Sequence, residues 1–108
     1  MKSTSGTNFG NGYTWFCVSS RSGLGHLRRS VQIAQALKTT GAAPPLGLMT
    51  NASPGGLDAH ELALFEAVCI CERDQMAARL LGCQPSAVIA DTIRIPRLHE
   101  LPCPVVLV

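Results

Sequence analysis

Residues 20–30, SRSGLGHLRRS, bring together two glycines, one histidine and three of the chain's nine basic residues. Glycine lets a backbone approach a ligand closely. Histidine is the side chain whose ordinary pKa of about 6.5 allows it to accept a proton at neutral pH. Gly23, Gly25 and His26 are therefore of the types that hold a substrate and move a proton, and Ser22, Arg28 and Arg29 supply anion-binding groups beside them. Arg28 and Arg29 are neighbours, about 100° apart on a helix, so only one of them can closely face a given ligand. A carboxylate, Asp91, ends the apolar run SAVIAD at 86–91. It could orient an imidazole and stabilise its charged form, or cap a following turn.

Both groups need elements that bring them to one place. The run YTWFCVSS at 13–20 is aromatic and β-branched, the composition of a buried strand. At 26–39, Leu27, Val31, Ala34 and Leu37 recur at steps of four, three and three, which predicts an amphipathic helix closed by Gly41, Pro44 and Pro45. PLGLMT at 45–50 reads as a second strand and 57–65 as helix-like; AVCIC at 67–71 is either a third strand or part of one long helix through ERDQMAARLL, and its β-branched Val68 and Ile70 favour a strand followed by a helix closed by Gly82 and Pro85. SAVIAD gives a fourth strand, a short helix starts at Pro96, and PVVLV at 104–108 gives a fifth strand. Strands alternating with helices imply a Rossmann-like α/β fold, a parallel sheet with flanking helices. In such folds ligands bind outside the carboxyl ends of the strands, where the glycine-rich stretch and Asp91 would both lie.

Two familiar phosphate loops do not fit. No lysine follows either glycine, as a P-loop requires, and Arg28 stands where the third glycine of a dinucleotide fingerprint belongs. The second predicted strand also ends in Thr50 and Asn51 rather than an acidic residue, so no nicotinamide, flavin or other cofactor is expected. SGLGHLRRSVQIAQAL, with its GxGHxxR pattern followed by an apolar helix, instead resembles the first loop and helix of GT-B glycosyltransferases. It looks most like the bacterial predicted glycosyltransferases related to the lipid II N-acetylglucosaminyltransferase family. SAVIADTIRIPRLHELPCPVVLV is similar to that family's later strand ending in aspartate, followed by a loop, an EL pair and another apolar strand.

The resemblance implies the acceptor-side, N-terminal half of a two-domain enzyme. Residues 1–12 would form a mobile leader and 13–108 the domain, with the donor-binding C-terminal half absent through truncation or carried by a partner chain. Its partners would be a nucleotide-sugar donor and an acceptor. His26 would be the candidate base, and Gly23 and Gly25 would approach the donor diphosphate or the acceptor. A nucleotide-sugar hydrolase with water as acceptor, or a non-catalytic anion-binding remnant, are the competing readings.

Composition bounds the alternatives. A net charge of +2 is too mild for a general nucleic-acid binder. The hydrophobic fraction of 46% argues for a folded core. No run approaches the ~20 apolar residues of a membrane span. Cys17, Cys69, Cys71, Cys83 and Cys103 form no CxxC or Cys/His metal spacing and read as buried thiols, which points to the reducing cytoplasm. His60 and His99 lack glycine neighbours and read as surface residues.

Overall fold

The computed structural model describes residues 12–18, 25–41, 44–51, 56–90 and 95–108. Five strands, β1 (Thr14–Val18), β2 (Leu46–Thr50), β3 (Ala67–Ile70), β4 (Ala87–Ala90) and β5 (Val105–Leu107), form one sheet in the order β3-β2-β1-β4-β5. All four pairings are parallel. Three α-helices accompany them: α1 (Gly25–Thr39), α2 (Ala59–Leu62) and α3 (Met76–Cys83). This is the Rossmann-like α/β architecture that the alternating pattern predicts.

Crossover handedness explains where the helices lie. The chain steps from β1 to β2 to β3 in one direction, then from β4 to β5 in the other. Fixed handedness moves its connections to the opposite face when the direction reverses. Leu27, Val31 and Ala34 of α1 accordingly pack with Phe16, Val18, Leu46 and Leu48 on one face. Met76, Ala77, Leu80 and Cys83 of α3, with Ile95, Leu98 and Leu101, pack on the other against Trp15, Cys17, Met49 and Val88. β1 is covered on both faces, which is why TWFCV is apolar or β-branched at nearly every position and wholly buried.

Close packing fixes the centre of the sheet. Trp15 is fully buried and its ring lies over Gly47 of β2, where a Cβ would come within 2.6 Å of Trp15 Cε3. Only glycine leaves room for that ring. Tyr13 stacks on Trp15 at 6.1 Å, and Phe16 meets Phe65 edge-on at 5.7 Å on the opposite face. Full burial of a side chain such as Phe16 contributes about 1.5–3 kcal/mol.

Several boundaries differ from those predicted. α1 begins at Gly25 and ends with the Thr39 and Thr40 hydroxyls donating to the Ala36 and Leu37 carbonyls, before Gly41 turns the chain at φ 74°. The helix-like reading over 57–65 contracts to the four residues of α2. Asp58 and Glu61 cap one another's backbone there, and the chain then turns through Phe65 into β3. Gly82 does not close α3: the helix continues to Cys83, and Gln84 adopts the left-handed conformation that ends it before Pro85. The segment at Pro96 forms a single 3₁₀ turn, Leu98–Glu100, because Arg97 takes a positive φ of 68° and redirects the chain after the proline.

β3 and β5 are the two edge strands. Val68 and Ile70 on the first, and Val106 and Leu107 on the second, are exposed apolar side chains. The His60 and His99 side chains are exposed, as their sequence context predicts. Among the described residues no helix is long and apolar enough to cross a membrane.

Candidate functional site

The strand order changes direction at β1. β1 lies between β2 and β4, and the connections leaving the carboxyl ends of β1 and β4 run to opposite sides of the sheet. This is the topological switch point at which open α/β sheets receive ligands. Cys17 pairs with Ala90 at the end of the β1–β4 ladder, so the chain after Val18 and the chain after Ala90 leave from adjacent strand ends. The first leads to Gly25 and His26; the second leads to Asp91.

Of the residues singled out in the sequence, Gly25, His26, Arg28 and Arg29 form the first turn of α1 with Leu27. Leu27 is buried and anchors that turn on the sheet, whereas His26 is half-buried and both arginines are exposed. No acidic residue occupies this first turn. The dipole of α1 places partial positive charge at this end of the helix, which favours an anion. A Cβ on Gly25 would meet nothing within 4 Å among the described residues, so packing does not demand glycine there. Ser22, Gly23 and Asp91, like Arg21 and Arg94, lie outside the described residues.

Arg28 has a defined partner. Its Nη1 donates to Glu61 Oε2, in an ion pair whose carboxylate side chain is only 14% exposed. The other oxygen, Glu61 Oε1, accepts from the backbone N–H of Asp58 at 2.9 Å, and Asp58 Oδ1 accepts from the Glu61 N–H at 2.8 Å. One carboxylate thus caps α2 and ties the β2–β3 connection to the first turn of α1. A phosphate seated on Arg28 would compete with Glu61. Arg97 also has a partner, pairing with Glu100 at 3.0 Å.

Glu61 was not among the residues that sequence motifs single out. Half of its role is legible there: DAHE at 58–61 has the reciprocal capping spacing of an acidic N-cap followed three residues later by glutamate. The other half joins residues 33 positions apart, and no local pattern announces it.

At the opposite, amino end of the strands, Glu66 plays a comparable tying role. It accepts from Lys38 Nζ at 2.9 Å and from the Leu46 N–H at 2.8 Å. Partial burial would raise its pKa, but these two hydrogen bonds outweigh that and hold it below the ordinary glutamate value.

Among the described residues, no group of three His, Cys, Asp or Glu side chains is arranged to hold a metal ion. Comparison of the chain with protein-family models, with curated proteins and with solved structures finds no match.

Proposed function

We propose that this chain is the acceptor-side half of a GT-B-like glycosyltransferase, contributing one wall of a cleft whose other wall is a donor-binding domain or chain. The observation that supports the reading is that Gly25 and His26 begin α1, the helix that follows β1 at the switch point of a β3-β2-β1-β4-β5 sheet. Glycosyl transfer requires a hydroxyl made nucleophilic and a diphosphate stabilised as it leaves. In this reading His26 removes the acceptor proton, Asp91 orients the imidazole, and Gly23, Gly25 and Ser22 bring backbone and hydroxyl groups against the ligand. The acid-free first turn of α1 favours the negative charge of the diphosphate.

The test is turnover of nucleoside-diphosphate sugars by the chain joined to, or mixed with, donor-binding α/β domains. Sugar transfer that falls at least about a hundredfold in His26→Ala, the scale of a lost general base, with an unchanged thermal unfolding curve, supports the reading. Release of free sugar would instead identify a hydrolase. Absence of turnover in every combination would leave a non-catalytic anion-binding module.

A further inference from the structure

The two edges of the sheet differ in what they offer to another strand. At β5, the Val88 N–H donates to the Pro104 carbonyl and the Val108 N–H to the Ala90 carbonyl, both at 2.9 Å. With the register Val88↔Val105, Ile89↔Val106 and Ala90↔Leu107, the main-chain groups of Val106 turn towards β4. The N–H and carbonyl groups of Val105 and Leu107 therefore point along the open edge of the sheet. Beside them the Val106 and Leu107 residues are 50% and 69% exposed. Edge strands are commonly blunted by charge, yet residues 101–108 carry none.

This edge is complementary to itself. When a second copy approaches about a two-fold axis through Val106, the strands run antiparallel and Val105 lies opposite the second copy's Leu107. Each such pair exchanges both its N–H···O=C bonds, and the two Val106 residues meet as a non-hydrogen-bonded pair, about 4.5 Å apart at their α-carbons. Pro104 stands at an inward-facing position, so its missing N–H removes no bond from the new ladder. Val106 shares a face with its register partner Ile89, which packs against the core beneath α1. The axis thus joins the Ile89–Val106 rows of both copies into one apolar strip.

β3 lacks this complementarity. The Cys71 N–H donates to the Thr50 carbonyl, so Cys69 and Cys71 present their main chain to β2 and leave that of Val68 and Ile70 outward. Self-pairing about Cys69 brings Glu66 against the second copy's Glu72 at both ends, and like charges directly opposed are destabilising. Charge closes one edge to a second copy and leaves the other open.

We propose that β5 is an interaction surface for a second copy of this chain, giving a two-fold dimer whose sheets continue through antiparallel β5–β5 pairing. An antiparallel strand at the edge of a parallel sheet is a common junction, and two-fold dimers are the commonest homo-oligomers. The contact is isologous and closed, so association stops at the dimer.

Sedimentation of the chain from micromolar to millimolar concentration is the test. The expected result is a rise from the 11.4 kDa of one chain to twice that mass and no further. Because the axis sets residue 106 against itself, Val106→Lys and Val106→Glu should each stay monomeric over that range, and an equimolar mixture of the two should regain the dimer. Ile70→Lys, on the β3 edge, should dimerise like wild type. Thermal unfolding checks that the variants fold; should either Val106 variant fail, amide exchange in wild type decides, since Val105 and Leu107 should exchange more slowly as concentration rises. A wild-type chain that stays monomeric, folded variants that do not recombine, association abolished by Ile70→Lys, or exchange at Val105 and Leu107 that ignores concentration overturns the proposal.

Discussion

The face of the sheet beneath α1 is packed from carbon, with Phe16, Val18, Leu46, Leu48, Leu57 and Phe65 meeting Leu27, Val31 and Ala34. The face beneath α3 carries the sulfur, with Cys17, Met49, Cys71, Met76 and Cys83 around Trp15. Alternation along the strands produces this separation, since neighbouring residues of one strand point to opposite sides. The carbon face supports the first turn of α1 and His26, whereas the sulfur face carries Cys69 and Cys71 at the β3 edge. A single sheet can therefore keep most of its sulfur on one face and pack the other from carbon alone.

Substitutions can break this comparison at different strengths. The largest effect is expected at Trp15, where Trp15→Ala should cost about 3–5 kcal/mol in urea unfolding, a large share of the roughly 5–15 kcal/mol that stabilises an ordinary domain. Gly47→Ala, by forcing a Cβ into the Trp15 ring, should cost about 3 kcal/mol by the same measurement. On the carbon face, Leu48→Ala is expected to cost about 2–5 kcal/mol. Combined with Cys17→Ala on the other face, it should add within about 0.5 kcal/mol if the two cores are independent. A larger interaction energy would mean that the sheet transmits strain between them.

Smaller effects sharpen the account at the helix ends. Asp58→Ala removes a cap and should destabilise the fold by about 1 kcal/mol in thermal or urea unfolding. Glu66→Gln should cost only about 0.3–0.5 kcal/mol, because its ion pair with Lys38 is solvent-screened. Its pH dependence has a definite sign. The folded pKa of Glu66 is depressed, so its contribution is fully present above the ordinary value of 4.5 and is lost as the pH falls through the lower folded value. Wild type and Glu66→Gln should therefore converge in stability in acid.

The sheet was largely legible in the chain because β1, β2 and β4 are short apolar runs separated by turn residues, and α1 has a clear helical period. What local pattern could not supply was the order of the strands. That order brings Cys17 into line with Cys69, 52 positions away, and sets the end of β1 beside the end of β4. The cysteines read individually as buried thiols, and their convergence depends on register. Arg28 offered a free cation in the sequence, but its engagement by Glu61 follows from how α2 packs near α1. The closure of α3 was misplaced because glycine is the usual left-handed residue after a helix, whereas here Gln84 adopts that backbone.

The central claim is that the carboxyl ends of β1 and β4 form the ligand site, with His26 at its edge. Backbone amide NMR of the folded chain, titrated with inorganic pyrophosphate and with nucleoside-diphosphate sugars, tests it most directly. The account predicts saturable shifts concentrated at residues 22–29 and 90–95, weakened by His26→Ala. Shifts confined to α3 or β5, or no shifts with any of these ligands, would contradict it.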